Sequence, residues 1–518
     1  MKIRIYDTTL RDGAQGEGMS LSLNDKILIT RMLDDFGVHY IEGGWPGSNP
    51  KDAGYFSEVR KLKLKSSVVC AFGSTRRANG KAKTDNQINA LINAKTKAVT
   101  IFGKSWDMHV TDVLKVPLKE NLEMISDSVD YLKSKKKEVI YDAEHFFDGF
   151  AANPDYALAS IKAAAEAGAD NITLCDTNGG TMPDRVAQVV QAVRKELSVS
   201  LGIHCHNDME LAVANSLAAV DAGCDLIHGT INGYGERCGN ANLISIIPVL
   251  QYKMKFSSIK PENIRRLTEL SHYVAEVCNM PINNNQPFTG RSAFAHKGGV
   301  HVNAVMKTAD SYEHITPDSV GNERRFLVSE LSGKTNVLLK AGQLGIKLDK
   351  NAAETARILD KIQDLENEGY QFEAAEASFE LIIKKMTGKY RKFFDLDGFR
   401  VTDSANHDGR SSSEAAVRLS VNGKEEHTAA LGDGPVNALD LALRKALVKF
   451  YPAIEKIHLV DFKVRVINGA DGTAAKVRVF ITFQDEKETW STVGVSTNII
   501  EASWHALVEA IEYKLLKS

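Results

Sequence analysis

Hydrophobic and polar positions alternate between two rhythms in the first half of the chain. Short apolar runs of strand type recur at "IRIYD" (3–7), "YIEGG" (40–44), "SVVCAF" (67–72), "AVTIF" (98–102), "EVIYD" (138–142), "NITLC" (171–175), "LGIHC" (201–205) and "LIHGT" (226–230). Between them the spacing becomes helical. "LNDKILITRMLDDFG" (23–37) predicts a helix opened by Ser22 with Asp25 as a capping box and stopped by Gly37. "PDYALASIKAAAEAG" (154–168) predicts another, from Pro154 to Gly168. Eight strands alternating with helices imply parallel units closing into an α/β (β/α)8 TIM barrel. An open doubly wound sheet is the alternative, which the strand count disfavours.

Beyond residue 282 the texture changes. Residues 283–326 are polar and Gly-rich and read as long loops, and 330–390 as a charged helical connector. After that, "SEAAVRLSVNG" and "KEEHTAALGDG" lead into the helical "PVNALDLALRKALVKFY", and "AKVRVFITFQD" and "KETWSTVGVSTN" lead into "IIEASWHALVEAIEYKLL". Gly432 and Gly494 fall at matching places, so the end of the chain reads as two hairpin-plus-helix repeats, an α+β module. The expected division is a catalytic barrel over 1–282, an accessory subdomain over 283–390 and a C-terminal domain over 391–518.

Composition narrows the class. With 518 residues, 43% hydrophobic, 25% charged and a formal net charge of −2, the chain has nothing to steer it to nucleic acid or a membrane. The N-terminal "MKIRIYDTTLRDG" reads without a signal peptide, and the six cysteines lack CxxC spacing, so a reducing cytoplasm is expected.

Active sites of such barrels lie at the C-terminal strand ends. There the sequence places Asp7, Arg11 and Asp12, then Glu42, then Glu144 and His145, then Asp176 and Thr177, and finally "HCHND" (204–208). Strand alternation puts His204 and His206 on one face and turns Cys205 towards the helices. A carboxylate from the loop after the first strand, Asp12, would complete a two-histidine, one-carboxylate metal site. Taken alone, a His-x-His pair is a weak signal; its place at the barrel mouth strengthens it. Asp208 is expected to cap the helix that follows, or to orient a ligand histidine, rather than bind the ion.

"DTTLRDGAQ" (7–15), "HCHND" (204–208) and "GERCGNAN" (235–242), with "GRSAFAHKGGVH" (290–301) and the C-terminal repeat, resemble the 2-isopropylmalate, homocitrate and citramalate synthases of the DRE-TIM metallolyase group. The resemblance covers nearly the whole chain. It implies Asp12, His204 and His206 as metal ligands, with Asn240 as a weaker one, for Mn2+ or Mg2+, with Zn2+ also suited. It implies Arg11 as the catalytic arginine, Glu144 as an acidic partner, and Thr177 as a binder of the 2-keto acid carboxylate. His301 and Tyr312 would come from the other subunit of a homodimer. The glycine loop with Gly233, Gly235 and Gly239 would accept the coenzyme A arm.

"IEGGWPGSNPKD" (41–52) and "DAEHFFDG" (142–149) lean to the branch that condenses acetyl-CoA with pyruvate, with isoleucine as the expected effector of the C-terminal domain. The alternatives are 2-isopropylmalate synthesis from 2-ketoisovalerate, and a hydroxyacyl-CoA lyase or aldolase. Which of Glu144, His301 and Tyr312 is the base stays open.

Overall fold

The computed structural model describes the chain apart from residues 1, 328–337, 339–340, 343–352, 373–374, 406–410, 468, 487 and 518. The chain divides into two compact units, Met1–Phe294 with His314–Arg324, and Ala295–Glu313 with Arg325–Ser518.

In the first unit the eight apolar runs are all strands: β1 (Arg4–Asp7), β2 (Tyr40–Gly44), β3 (Val68–Ser74), β4 (Ala98–Lys104), β5 (Glu138–Glu144), β6 (Asn171–Asp176), β7 (Ser200–Cys205) and β8 (Leu226–Gly229). They form a closed barrel in chain order. It is sealed by parallel pairing of β1 with β8, Ile5 opposite Ile227. Alternation sorts the side chains. Ile5, Ile41, Val99, Ile203 and Cys205 join the large core between strands and helices, whereas Tyr6, Tyr40, Cys70, Ala98, Ile140 and Leu226 form a separate cluster.

The helix signals act as the sequence predicts. Ser22 and Asp25 exchange side-chain and backbone hydrogen bonds at the start of Leu23–Phe36. Gly37 ends that helix at φ 93, a left-handed conformation that costs glycine little. Asn153 caps Pro154–Glu166 by accepting from the Tyr156 N–H at 3.2 Å.

The second unit differs from the expectation in two places. The segment read as long loops contains a helix, Gly299–Lys307, and contributes to a parallel pair of β9 (Ala295–His296) with β10 (Arg325–Phe326). The connector read as helical holds Ala353–Glu368 and Glu376–Met386; its stretch 343–352 lies outside the described residues. In the C-terminal module each repeat has three strands before its helix, not two.

The order there is β11 (Asp395–Ala405), β12 (Ser411–Val421), β13 (Lys424–Gly432) and helix Pro435–Leu447, then β14 (His458–Val466), β15 (Val477–Gln484), β16 (Thr489–Ser496) and helix Ile499–Lys517. Both helices bury leucines in one core with Val417, Leu419, Val479 and Ile481. The matching glycines sit where each helix crosses its sheet. A Cβ on Gly432 would lie 2.4 Å from the Ala438 nitrogen, and one on Gly494 2.0 Å from the Ala502 oxygen. Helix Glu376–Met386 adds Ala377 and Leu381 to the same core, and Ser378 Oγ accepts the Val493 N–H at 3.0 Å.

Candidate active site

A cavity of about 220 Å3 opens at the C-terminal end of the barrel. Every lining residue lies in the C-terminal half of a strand or follows one: Arg11, Asp12 and Gln15 after β1, Phe72 in β3, Phe102 in β4, Asp142 and Glu144 in β5, Cys175 and Thr177 at β6, His204 and His206 at β7, and Glu236 and Arg237 after β8. Barrel geometry therefore gathers side chains more than 200 residues apart.

Asp12, His204 and His206 converge. One ligand atom from each lies within 4.8 Å of the other two, and all three residues are buried. Nε2 of His204 is 3.4 Å from Nε2 of His206 and 3.4 Å from Oδ2 of Asp12. Burial holds the His204 imidazole down to about 3 and lowers His206 as well, so both rings are neutral with a lone pair to donate. Burial works to raise the Asp12 carboxyl, but Arg11 and the two histidines outweigh it and hold it at about 2. A charged carboxylate with two neutral imidazoles is the donor set a divalent ion requires.

Cys205, between the ligands, is fully buried in the strand–helix core, as its parity predicts. Asn240 pairs with His206 in an antiparallel bridge, and its Oδ1 is buried without a partner. The glycine loop seats that asparagine. A Cβ on Gly235 would lie 2.1 Å from Asn240 Nδ2, Gly233 accepts the Asn240 N–H at 3.0 Å, and Gly239 turns at φ 93.

Asp208 does neither of the two things expected of it. The helix starts later, at Ala212, and Asn207 Oδ1 accepts the Ala212 N–H at 3.1 Å. Asp208 instead takes a fork from Arg237, at 2.7 and 2.8 Å. The same guanidinium donates to the Thr177 carbonyl at 2.9 Å. The Thr177 hydroxyl accepts the His145 N–H at 2.8 Å, and His145 is itself at φ 57.

Arg11 is held on three sides. Its Nε donates to Glu42 at 2.5 Å, its Nη1 to Asp12 at 3.0 Å, and its guanidinium carbon sits 3.7 Å from the centroid of the Phe72 ring. Burial pulls against the charge, but the two carboxylates raise the guanidinium above its ordinary value. Glu42 has no solvent exposure and also accepts from the Tyr6 and Thr8 hydroxyls.

Three features escape a reading of motifs. Glu144 is ion-paired with Lys104, its register partner across β4 and β5. Asp142 shares the cavity with Glu144, as residues two apart on a strand must. Phe72 and Phe102 stack at 5.5 Å to form an apolar wall. Parity applied to β4 and β5 as it was to β7 would have flagged Phe102 with Lys104, and Asp142 with Glu144. His301 and Tyr312 lie in the second unit, where their rings meet at a centroid distance of 4.3 Å and both are exposed.

Comparison with known proteins agrees with this architecture. Residues 2–272 match the HMGL-like family, 288–369 the homocitrate synthase post-HMGL domain-like family, and 373–515 the LeuA allosteric (dimerisation) domain. The (R)-citramalate synthase of Aquifex aeolicus is 56% identical over 518 residues, covering 100% of this chain and 98% of the relative. That of Geobacter sulfurreducens is 54% identical, covering 100% and 98%. At greater distance, the 2-isopropylmalate synthase of Methanocaldococcus jannaschii is 32% identical, covering 100% and 95%. The chain belongs to the HMGL-like family and, within it, to the (R)-citramalate synthases that carry a LeuA-type C-terminal domain.

Proposed function

We propose that the chain condenses acetyl-CoA with pyruvate and hydrolyses the resulting thioester, releasing (R)-citramalate and CoA. The observation that carries this is the convergence of Asp12, His204 and His206 beside the clamped Arg11 at the barrel mouth. The donor set fits Mn2+ or Mg2+, and also Zn2+. Held by Asp12, His204 and His206, a divalent ion would supply Lewis acidity to the 2-keto acid.

The chain's own residues do the rest. Arg11, always protonated and pre-oriented by Glu42, stabilises negative charge that develops on the keto oxygen. Thr177 lies beside the carboxylate end of the substrate. A base removes a methyl proton from acetyl-CoA, and the resulting carbanion forms a bond to the keto carbon. The keto oxygen takes up a proton, and water then cleaves the thioester. Glu144, ion-paired with Lys104, takes part in this proton transfer, with His301 and Tyr312 of the partner subunit as the other groups. The glycine loop at 233–239 accepts the coenzyme A arm. A cavity walled by Phe72 and Phe102 suits the short methyl side of pyruvate.

The C-terminal module acts as a dimer domain at which isoleucine, the end product expected of a pyruvate route, inhibits. A purified-protein assay of thiol release from acetyl-CoA tests the function, run with pyruvate, 2-ketobutyrate, 2-ketoisovalerate and 2-ketoglutarate. Pyruvate with a divalent ion should give the highest kcat/KM. A preference for 2-ketoisovalerate assigns 2-isopropylmalate synthesis instead. Absence of thiol release with every keto acid overturns the proposal.

A further inference from the structure

The segment "GGWPG" (43–47) at the end of β2 contributes no lining residue to the cavity, yet its tryptophan is anchored at both ends. The Trp45 N–H donates to Asp52 Oδ2 at 2.9 Å, and Asp52 is itself held at 2.6 Å by the buried Lys26. At the far end the indole Nε1–H donates to Gln87 Oε1 at 2.6 Å. Gln87 stands in the first turn of helix Asn86–Asn93, where the capping Asp85 accepts its N–H at 2.8 Å. The glycines leave room for both anchors. A Cβ on Gly44 would lie 2.6 Å from Asp52 Oδ2, and one on Gly47 2.4 Å from Gln87 Oε1.

What the indole touches is the apolar wall of the cavity. It meets Phe72 at 5.7 Å and 85°, and Phe102 at 5.8 Å and 82°, an edge contact with each member of the stacked pair. Phe72 also carries the Arg11 guanidinium, 3.7 Å from its centroid. A keto acid with a side chain longer than methyl makes room against this wall only by displacing a ring, and close-packed rings resist displacement. We propose that Trp45 is a specificity-determining positioning residue: it braces Phe72 and Phe102 and so limits the 2-keto acid to a short side chain, with Gln87 fixing the brace. The assignment rests on the condensation reading above. It concerns the choice among keto acids and no bond-making step.

Thiol release from acetyl-CoA by the full-length protein gives kcat/KM for pyruvate and for 2-ketobutyrate, which is longer by one methylene. A pocket that does not yield discriminates between such neighbours by about tenfold or more. Trp45→Leu should raise the ratio of 2-ketobutyrate to pyruvate at least about fivefold, and Gln87→Leu, which keeps the indole but frees its end, about threefold. The ratio is decisive because a loss of folded protein lowers both values equally and leaves it unchanged. Ratios within about twofold of wild type in both variants make Trp45 a structural residue only and overturn the proposal. Should Trp45→Leu fail to fold, Gln87→Leu decides alone by the same threshold. An active wild type that neither substitution moves overturns this assignment and leaves the condensation reading standing. A wild type that releases thiol with no keto acid overturns both.

Discussion

Nε of Arg11 lies 2.5 Å from Oε2 of Glu42, a carboxylate sealed from solvent that also accepts from Tyr6 and Thr8. The arginine at the centre of the site is thus aimed by a residue 31 positions away on the neighbouring strand. Glu42→Gln keeps the size but removes the charge and one acceptor oxygen. We expect kcat for thiol release to fall about 100-fold, as for other small misplacements of a reacting group. Circular dichroism should remain that of the wild type. An unchanged kcat would mean that Asp12 and Phe72 suffice to aim Arg11.

The metal site can be read without turnover. Asp12, His204 and His206 come together only in the folded chain, so an ion that binds them stabilises the fold by mass action, about 2.7 kcal/mol at 100 times its Kd. Mn2+ or Mg2+ should raise the thermal midpoint of the chelator-treated protein in a concentration-dependent way. Asp12→Asn and His204→Ala should abolish that shift. A midpoint indifferent to every divalent ion tested would remove this site from consideration.

His39 predicts an acid sensitivity of the barrel floor. Its Nδ1 accepts the Ile5 N–H at 3.1 Å, and burial, with Lys2 and Arg4, lowers its imidazole to about 4. The unfolded chain binds a proton at this residue near pH 6.5, well before the folded one does. The stability it confers is therefore complete above pH 6.5 and is lost as the pH falls towards 4. Urea midpoints of wild type should drop between pH 6.5 and 4.5 more steeply than those of His39→Gln. Parallel slopes would refute the assignment.

The C-terminal module is expected to need residues before 391. Helix Glu376–Met386 places Ala377 and Leu381 in its core, and Ser378 satisfies the Val493 N–H in β16. A fragment of residues 373–518 should melt cooperatively. One of 391–518 should aggregate or melt at least 10 °C lower. Equal midpoints would show the helix to be dispensable.

The sequence made the barrel legible because each strand is a short apolar run and each helix carries its own stop signals, as with Ser22, Asp25 and Gly37. The histidine pair was legible for the same reason: alternation alone fixes which side chains share a face. β11 and β14 were harder. Their residues are mostly exposed and each contains a register shift, at Leus 396 and 459, so apolar periodicity carries little information there. Glu42 was visible as an acid at a strand end, but its grip on Arg11 is a distance between strands, which no motif states. Lys104 and Asp142 lay within reach of the parity argument; Lys104 belongs to no motif, and Asp142 entered only as the first residue of a segment read for its branch of the family. The role of Asp208 went astray because the helix after β7 begins at Ala212, and helix boundaries are the least certain part of a sequence reading.

The parity of β7 has one more outcome, for the choice of ion. Cys205 is bonded to both ligand-bearing residues, yet its thiol is directed at the Ser216 hydroxyl in the helix layer. The cluster therefore offers nitrogen and oxygen and withholds sulfur. Without a thiolate the ligand set favours hard or borderline divalent ions over thiophilic ones. Oxidants meet the same barrier: the sulfur beside the ligands is shielded, and among the cysteines only Cys238 is exposed. A single peptide step thus turns the Cys205 sulfur away from the cluster, and the thiol that does line the cavity, Cys175, belongs to the neighbouring strand opposite His204.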